Sequence, residues 1–173
     1  MDRESFAELL RRHQPVVSRY VARMLRSRED GDEVVQETFL RAWAQIARFR
    51  PDSNFAAWVL TIARFLCLAR IKDVKRHPPP ATLDVQHEPP APPLPDDLET
   101  LRRACEQLPP AQREIVALRF FENLDYRAIA EITGASEVAL RSRLHDALER
   151  LKGLMKAKTG DSGHIGRNSA LTE

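Results

Sequence analysis

Cysteine is almost missing from this chain: Cys67 and Cys105 are the only two in 173 residues. Both fall inside apolar helical patterns, which excludes a disulfide framework and points to a reducing compartment. The five histidines show no Cys/His spacing that would build a zinc site, so neither a metal nor a cofactor is expected. No apolar run approaches the roughly eighteen residues of a bilayer span, and the polar opening MDRES is unlike a signal peptide. The expectation is a cytoplasmic protein without membrane insertion. A Gly-rich phosphate loop and the spacing of a catalytic triad are also missing, which argues against an enzyme. With no strand pattern and no internal repeat, the fold class expected is all-α.

Net charge is small as well, 27 basic against 25 acidic residues. The charge is unevenly placed. Residues 1–76 carry 15 basic and 10 acidic residues, 77–96 carry none basic and three acidic, and the remaining 77 residues balance at 12 each. A basic N-terminal half beside a neutral C-terminal one suits contact with a polyanion at more than one place.

What the chain does contain is clearest at 124–152, LDYRAIAEITGASEVALRSRLHDALERLK. Asp125 reads as an N-cap, Ile129, Ala130 and Ile132 as a short apolar face, and Gly134 as a stop needing positive φ. Ser136 then caps a second helix whose Leu140, Leu144, Ala147, Leu148 and Leu151 share one 3.6-residue stripe. Val138, Ala139, Ser142, His145 and Asp146 point away from it, flanked by Arg141 and Arg143. This is helix-turn-helix patterning, in which small and polar side chains reach base edges and arginines hold phosphates. A plain helical hairpin inside a bundle has the same spacing.

Upstream, residues 3–26 read as two helices or as one kinked at Pro15. SREDGD at 27–32 reads as a charged break, and Glu33 to about Arg48 as a helix with Val34, Val35, Ala42, Trp43, Ile46 and Ala47 inward. Pro51, Asp52, Ser53 and Asn54 spell a loop that caps a long helix to Arg76. Phe55, Trp58, Val59, Ile62, Ala63, Leu66 and Ala69 form its core face, and Arg70, Lys72, Lys75 and Arg76 collect at its end. Both tryptophans are read as core residues rather than stacking platforms.

Eight of the twelve prolines fall within 77–96, a stretch expected to be an extended, acidic linker. At ~3.1 Å per residue it could span roughly 60 Å, against ~34 Å per turn of duplex DNA. The expected domains are therefore a helical domain at 1–76, the Pro-rich linker at 77–96 and a helix-turn-helix domain at 97–156 with helices at about 97–107 and 110–122. The tail at 157–173 has too little apolar content to fold.

DEVVQETFLRAWAQIARFRPDSNFAAWVLTIAR at 32–64 and LPPAQREIVALRFFENLDYRAIAEITGASEVALRSRLHDALERL at 108–151 resemble the second and fourth domains of bacterial sigma factors of the extracytoplasmic-function group, in the sigma-70 family. The resemblance implies a subunit without catalytic chemistry. It would bind core RNA polymerase through the β′ clamp and β flap, recognise minus-35 and minus-10 promoter DNA, and help open the duplex. It also implies an anti-sigma protein as a further partner. Asp32, Glu33, Gln36, Glu37, Phe39, Leu40 and Arg41 would face the polymerase. Ser53, Asn54, Arg64, Arg70, Lys72, Lys75 and Arg76 would serve the minus-10 element, and Val138, Ala139, Arg141, Ser142, Arg143, His145 and Asp146 the minus-35 element. The linker would thread a positively charged channel of the polymerase, or act only as a spacer. The family pattern is broken at Phe65 and Ala69, and at Asp146, where an arginine is usual. A carboxylate there repels phosphate but accepts from cytosine N4, which implies altered base preference. The competing reading is a helix-turn-helix regulator with an N-terminal sensing or interaction domain.

Overall fold

The computed structural model describes residues 3–50, 52–78 and 96–161. These form seven α-helices with no strand among the described residues: α1 (Arg3–Met24), α2 (Arg28–Gln45), α3 (Phe55–Arg76), α4 (Asp96–Glu106), α5 (Pro110–Val116), α6 (Tyr126–Thr133) and α7 (Glu137–Asp161). A 3₁₀ turn, Ile46–Arg48, follows α2, and a π-helical turn, Ala117–Phe121, prolongs α5.

Local chemistry accounts for the boundaries. Helix α1 runs unbroken through Pro15; Arg11 and Pro15 both lie on the exposed side, where water can satisfy the carbonyl that proline leaves without a donor. The charged stretch 27–32 is a helix start rather than a break. Ser27 accepts a hydrogen bond from the Asp30 amide at 3.1 Å, and Glu29 and Asp30 occupy the first turn, where acidic side chains oppose the positive end of the helix dipole. Asn54 caps α3 by accepting from the Ala57 amide at 3.2 Å. Pro110 opens α5, where its missing N–H costs nothing.

In the C-terminal half, Asp125 accepts from the Ala128 amide at 2.8 Å and Ser136 from the Ala139 amide at 3.3 Å. Gly134 takes φ 71° between the two helices. A Cβ there would meet nothing within 4 Å, so the demand is purely on backbone conformation. Gly134→Ala is therefore expected to destabilise the protein by about 1 kcal/mol, the cost of a left-handed non-glycine residue, measured as a lowered midpoint in urea.

Val17, Tyr20, Val21, Met24, Val59, Leu60 and Ala63 are buried among α1, α2 and α3, while Leu108, Ile115, Leu118, Ile129, Ile132, Leu140, Ala147 and Leu151 are buried in the C-terminal half. The two sets join into one core. Helix α1 packs on α5 and α3 on α6. The halves therefore sit against each other instead of standing apart as tethered modules. Several residues assigned inward at the edge of a stripe face solvent: Ala47 and Ala69 are exposed, as are Trp43 and Leu148, at 40% and 41%. Trp58 is half-buried and packs with Phe49 and Phe55 at centroid distances of 5.1 and 5.5 Å, and Trp43 covers Phe6 at 4.9 Å. Helix α7 continues to Asp161, past the expected start of an unfolded tail at 157. The linker at 79–95 and the tail from 162 lie outside the described residues.

Candidate nucleic-acid interface

Three surfaces carry the candidate residues. The first is α7. Its Leu140, Leu144, Ala147 and Leu151 are buried, anchoring the helix against α5, α6 and α4. Val138, at 75% exposure, and Ala139, Arg141, Ser142, His145 and Asp146 all face solvent, while Arg143 is half-buried. Arg141 lies over the Tyr126 ring at 4.8 Å and donates to Glu137 at 3.0 Å, which holds its guanidinium at the junction of the two helices. The outcome is a firmly seated helix with a smooth, polar outer face. That shape and chemistry suit insertion into a major groove.

The second surface lies between α2 and α3. A shallow open groove is lined by Glu33, Gln36, Glu37, Leu40, Arg41 and Leu66, among others. Leu40 is 57% exposed, an apolar side chain standing among charges. Arg41 donates to Glu37 at 2.7 Å, and Asp32, Glu33 and Gln36 are exposed. Phe39 is not part of this face: it is 7% exposed and fills the core, because it lies a full 100° around the helix from Leu40.

The third surface is the loop at 49–55 and the end of α3. The Ser53 amide and hydroxyl both donate to the Arg50 carbonyl, at 2.9 and 2.7 Å. With Asn54 Oδ1 taken by its capping bond, the Asn54 amide NH₂ is the donor the loop can present. Lys72, Lys75 and Arg76 are exposed at the last turns of α3. The other two cations expected there are committed within the protein. Arg70 donates to Asp30 at 2.8 Å and Glu33 at 2.6 Å, and Arg64 donates to Glu114 of α5 at 2.8 Å. Sequence proximity placed these two with the free lysines; the structure gives them intramolecular carboxylates instead.

Glu114 is the residue that sequence reading passed over. It is 2% exposed and also accepts from the Tyr20 hydroxyl at 2.9 Å. Burial, then the Glu114 carboxylate, hold the Tyr20 pKa well above its ordinary value, so the phenol remains a donor. The same two causes push the Cys67 thiol up to about 12, which keeps it protonated and unreactive. Among the described residues no group of three or more His, Cys, Asp or Glu side chains could hold a metal ion, and no helix is long and apolar enough to cross a membrane.

Comparison with known families accounts for this arrangement. Residues 9–77 match Sigma-70 region 2 and residues 98–151 match Sigma-70 region 4. RNA polymerase sigma factor CarQ of Myxococcus xanthus is 32% identical over 160 residues, covering 88% of this chain and 90% of that protein. ECF RNA polymerase sigma factor SigM of Mycobacterium tuberculosis is 30% identical over 89% of this chain and 79% of its own length. The chain belongs to the extracytoplasmic-function group of RNA polymerase sigma factors. As a sigma factor it is a transcription initiation factor that binds core RNA polymerase and directs it to promoter DNA. Its fold agrees with that of a solved sigma factor: RpoE of Bartonella quintana, crystallised in complex with the anti-sigma factor NepR, superposes with a TM-score of 0.76 at 25% identity, over 88% of this chain and 98% of that one. CnrH, solved with the cytosolic domain of CnrY, shares the fold with a TM-score of 0.68. A score of 0.76 over nearly the whole chain requires the two helical halves to sit together in a similar way in RpoE.

Proposed function

We propose that the three surfaces divide the work of a sigma factor among them. Helix α7 reads the minus-35 element through Val138, Ala139, Ser142, His145 and Asp146, with Arg141 and Arg143 on the flanking phosphates. The α2 face, Asp32, Glu33, Gln36, Glu37, Leu40 and Arg41, docks on the clamp coiled coil of core polymerase. Its exposed leucine within a charged rim has the arrangement of an interface, an apolar centre with a polar edge. The loop at 49–55 holds an extruded base of the minus-10 element through Ser53 and Asn54, and Lys72, Lys75 and Arg76 hold its backbone. Unstacking a base costs a few kcal/mol, which donors on a turned loop can offset.

The observation that carries this reading is the two-sidedness of α7, buried along one stripe and open along the face that the promoter would meet. The protein acts stoichiometrically, in the cytoplasm, and performs no bond chemistry. An anti-sigma protein is a further partner of this chain, by analogy with the complex in which RpoE was solved.

Asp146 tests the minus-35 assignment. It is exposed on the outer face, where a carboxylate accepts from cytosine N4 and disfavours a guanine edge. Asp146→Arg is expected to change the preferred base at one minus-35 position by about tenfold, since a good bidentate contact is worth about 1–3 kcal/mol of discrimination. Selection of minus-35 sequences by holoenzyme carrying either residue measures this. An unchanged preference removes Asp146 from the reading face.

A further inference from the structure

Phe65 is the most exposed aromatic side chain among the described residues, at 64%. A lone apolar residue in water is ordinary, so its surroundings decide what it can do. At ~100° per residue along α3, Lys72 and Arg76 fall within about 20° of Phe65, and Thr61 and Ala69 within about 40°; all four are exposed. Lys75 lies about 80° round on one flank. Asp73, the one acidic residue of α3, lies about 80° round on the other and faces His77 at 3.3 Å. Along this face α3 therefore presents an open ring and then cations, with none of its own carboxylates between them.

Such a face suits a single strand better than a closed duplex. Cations hold phosphates, and an aromatic ring takes the flat face of an unpaired base whichever base it is. Trp58 is not free for this, since it packs with Phe49 and Phe55 at 5.1 and 5.5 Å; Phe65 takes no part in that cluster. Thr61, one turn back, spends its hydroxyl proton on the Ala57 carbonyl at 2.8 Å, so it offers base edges no donor beside the ring. We propose that Phe65 is a stacking platform for an unpaired base of the opened minus-10 strand, with Lys72 and Arg76 on the adjoining phosphates. This rests on the minus-10 assignment of α3 made above. At ~1.5 Å of rise per residue, Phe65 lies about 16 Å from the Asn54 cap. At ~3.4 Å per nucleotide of one strand, the stacked base is within about five nucleotides of the one held by the 49–55 loop. The contact stabilises only the opened state, because a paired base already stacks on its neighbours. Phe65 also breaks the family pattern, so the role belongs to this chain rather than to the family.

Binding of holoenzyme to a forked promoter, duplex at minus-35 and single-stranded at minus-10, tests the platform. Phe65→Ala should weaken binding roughly five- to 150-fold, which is the loss of one base–aromatic stack (~1–3 kcal/mol) converted at ~1.4 kcal/mol per tenfold. Phe65→Leu, which keeps an apolar side chain without a ring, should lose nearly as much, and Phe65→Tyr should bind like wild type. None of the three should change the salt dependence, whereas Lys72→Ala and Arg76→Ala should each flatten it by about one counterion. 2-Aminopurine placed at successive positions of the single strand should be quenched at one of them by wild-type holoenzyme and regain its fluorescence there with Phe65→Leu. Wild-type binding by Phe65→Ala, or a Phe65→Leu that binds as well as Phe65→Tyr, overturns the stack. So does a Phe65→Ala chain that loses affinity for core enzyme, which would make Phe65 a polymerase contact. Wild-type binding by Phe65→Ala beside a weakened Lys72→Ala, Arg76→Ala double variant overturns the platform alone. If that double variant also binds like wild type, α3 leaves the minus-10 element and both readings fall.

Discussion

Leu40→Asp is expected to abolish stable association with core RNA polymerase while leaving the protein folded. Leu40 is 57% exposed, so its replacement removes little buried area and opens no cavity in the helical core. Its neighbours along the groove, Gln36, Glu37 and Arg41 on one wall and Leu66 on the other, make it the apolar centre of a charged surface. When such a residue is covered by a partner, truncation costs about 2 kcal/mol or more, and a buried, unpaired carboxylate in its place costs several more. Affinity should fall at least about thirtyfold at the lower figure, since each ~1.4 kcal/mol is tenfold. Gel filtration of the variant with core enzyme, beside a thermal melt of the variant alone, separates lost binding from lost fold. A variant that still co-elutes moves the docking surface elsewhere on the molecule.

The second large effect is structural and falls on the DNA-reading half. Leu140 is fully buried, and the helix that carries it packs against α4, α5 and α6. Leu140→Ala removes apolar contact and leaves a cavity that helices of this length cannot fully close. The expected loss is about 2–5 kcal/mol, a large part of the ~5–15 kcal/mol that a domain of this size has in total. Because this buried stripe seats α7 against its neighbours, minus-35 recognition should fall with stability. Urea unfolding gives the first quantity and promoter selection the second. A loss below about 1 kcal/mol would mean that the site repacks and that the stripe does not seat the helix as described.

Sequence reading located the parts of the fold whose causes are local. Asp125, Ser136 and Asn54 cap helices because a short polar side chain reaches amides three residues on, and Gly134 takes positive φ because it lacks a Cβ. These need no knowledge of the rest of the chain. Ser27 and Asp30 have the spacing of a capping box, so the helix start at 27–32 is encoded locally beneath its dense charge. Residues at the edges of apolar stripes could not be placed, because the neighbour's shape decides whether Trp43, Ala69 or Leu148 is covered. The candidate site was legible on α7, whose outer face follows from its buried one. It was less legible on α3: nothing local distinguishes Arg64 and Arg70, which are paired to carboxylates, from Lys72, Lys75 and Arg76. One signal did exist. Glu114 stands one position before Ile115 and four before Leu118, on an apolar helix face, where an acidic residue signals a buried partner from elsewhere in the chain.

One polypeptide brings core RNA polymerase to a promoter through two helical halves. Run-off transcription with purified core enzyme tests it most directly, on templates drawn from a randomised promoter library. Transcripts with a single defined start are expected, dependent on added protein and on both upstream elements, and lost with Leu40→Asp. No defined start on any template, with core enzyme that responds to a control sigma factor, would contradict it.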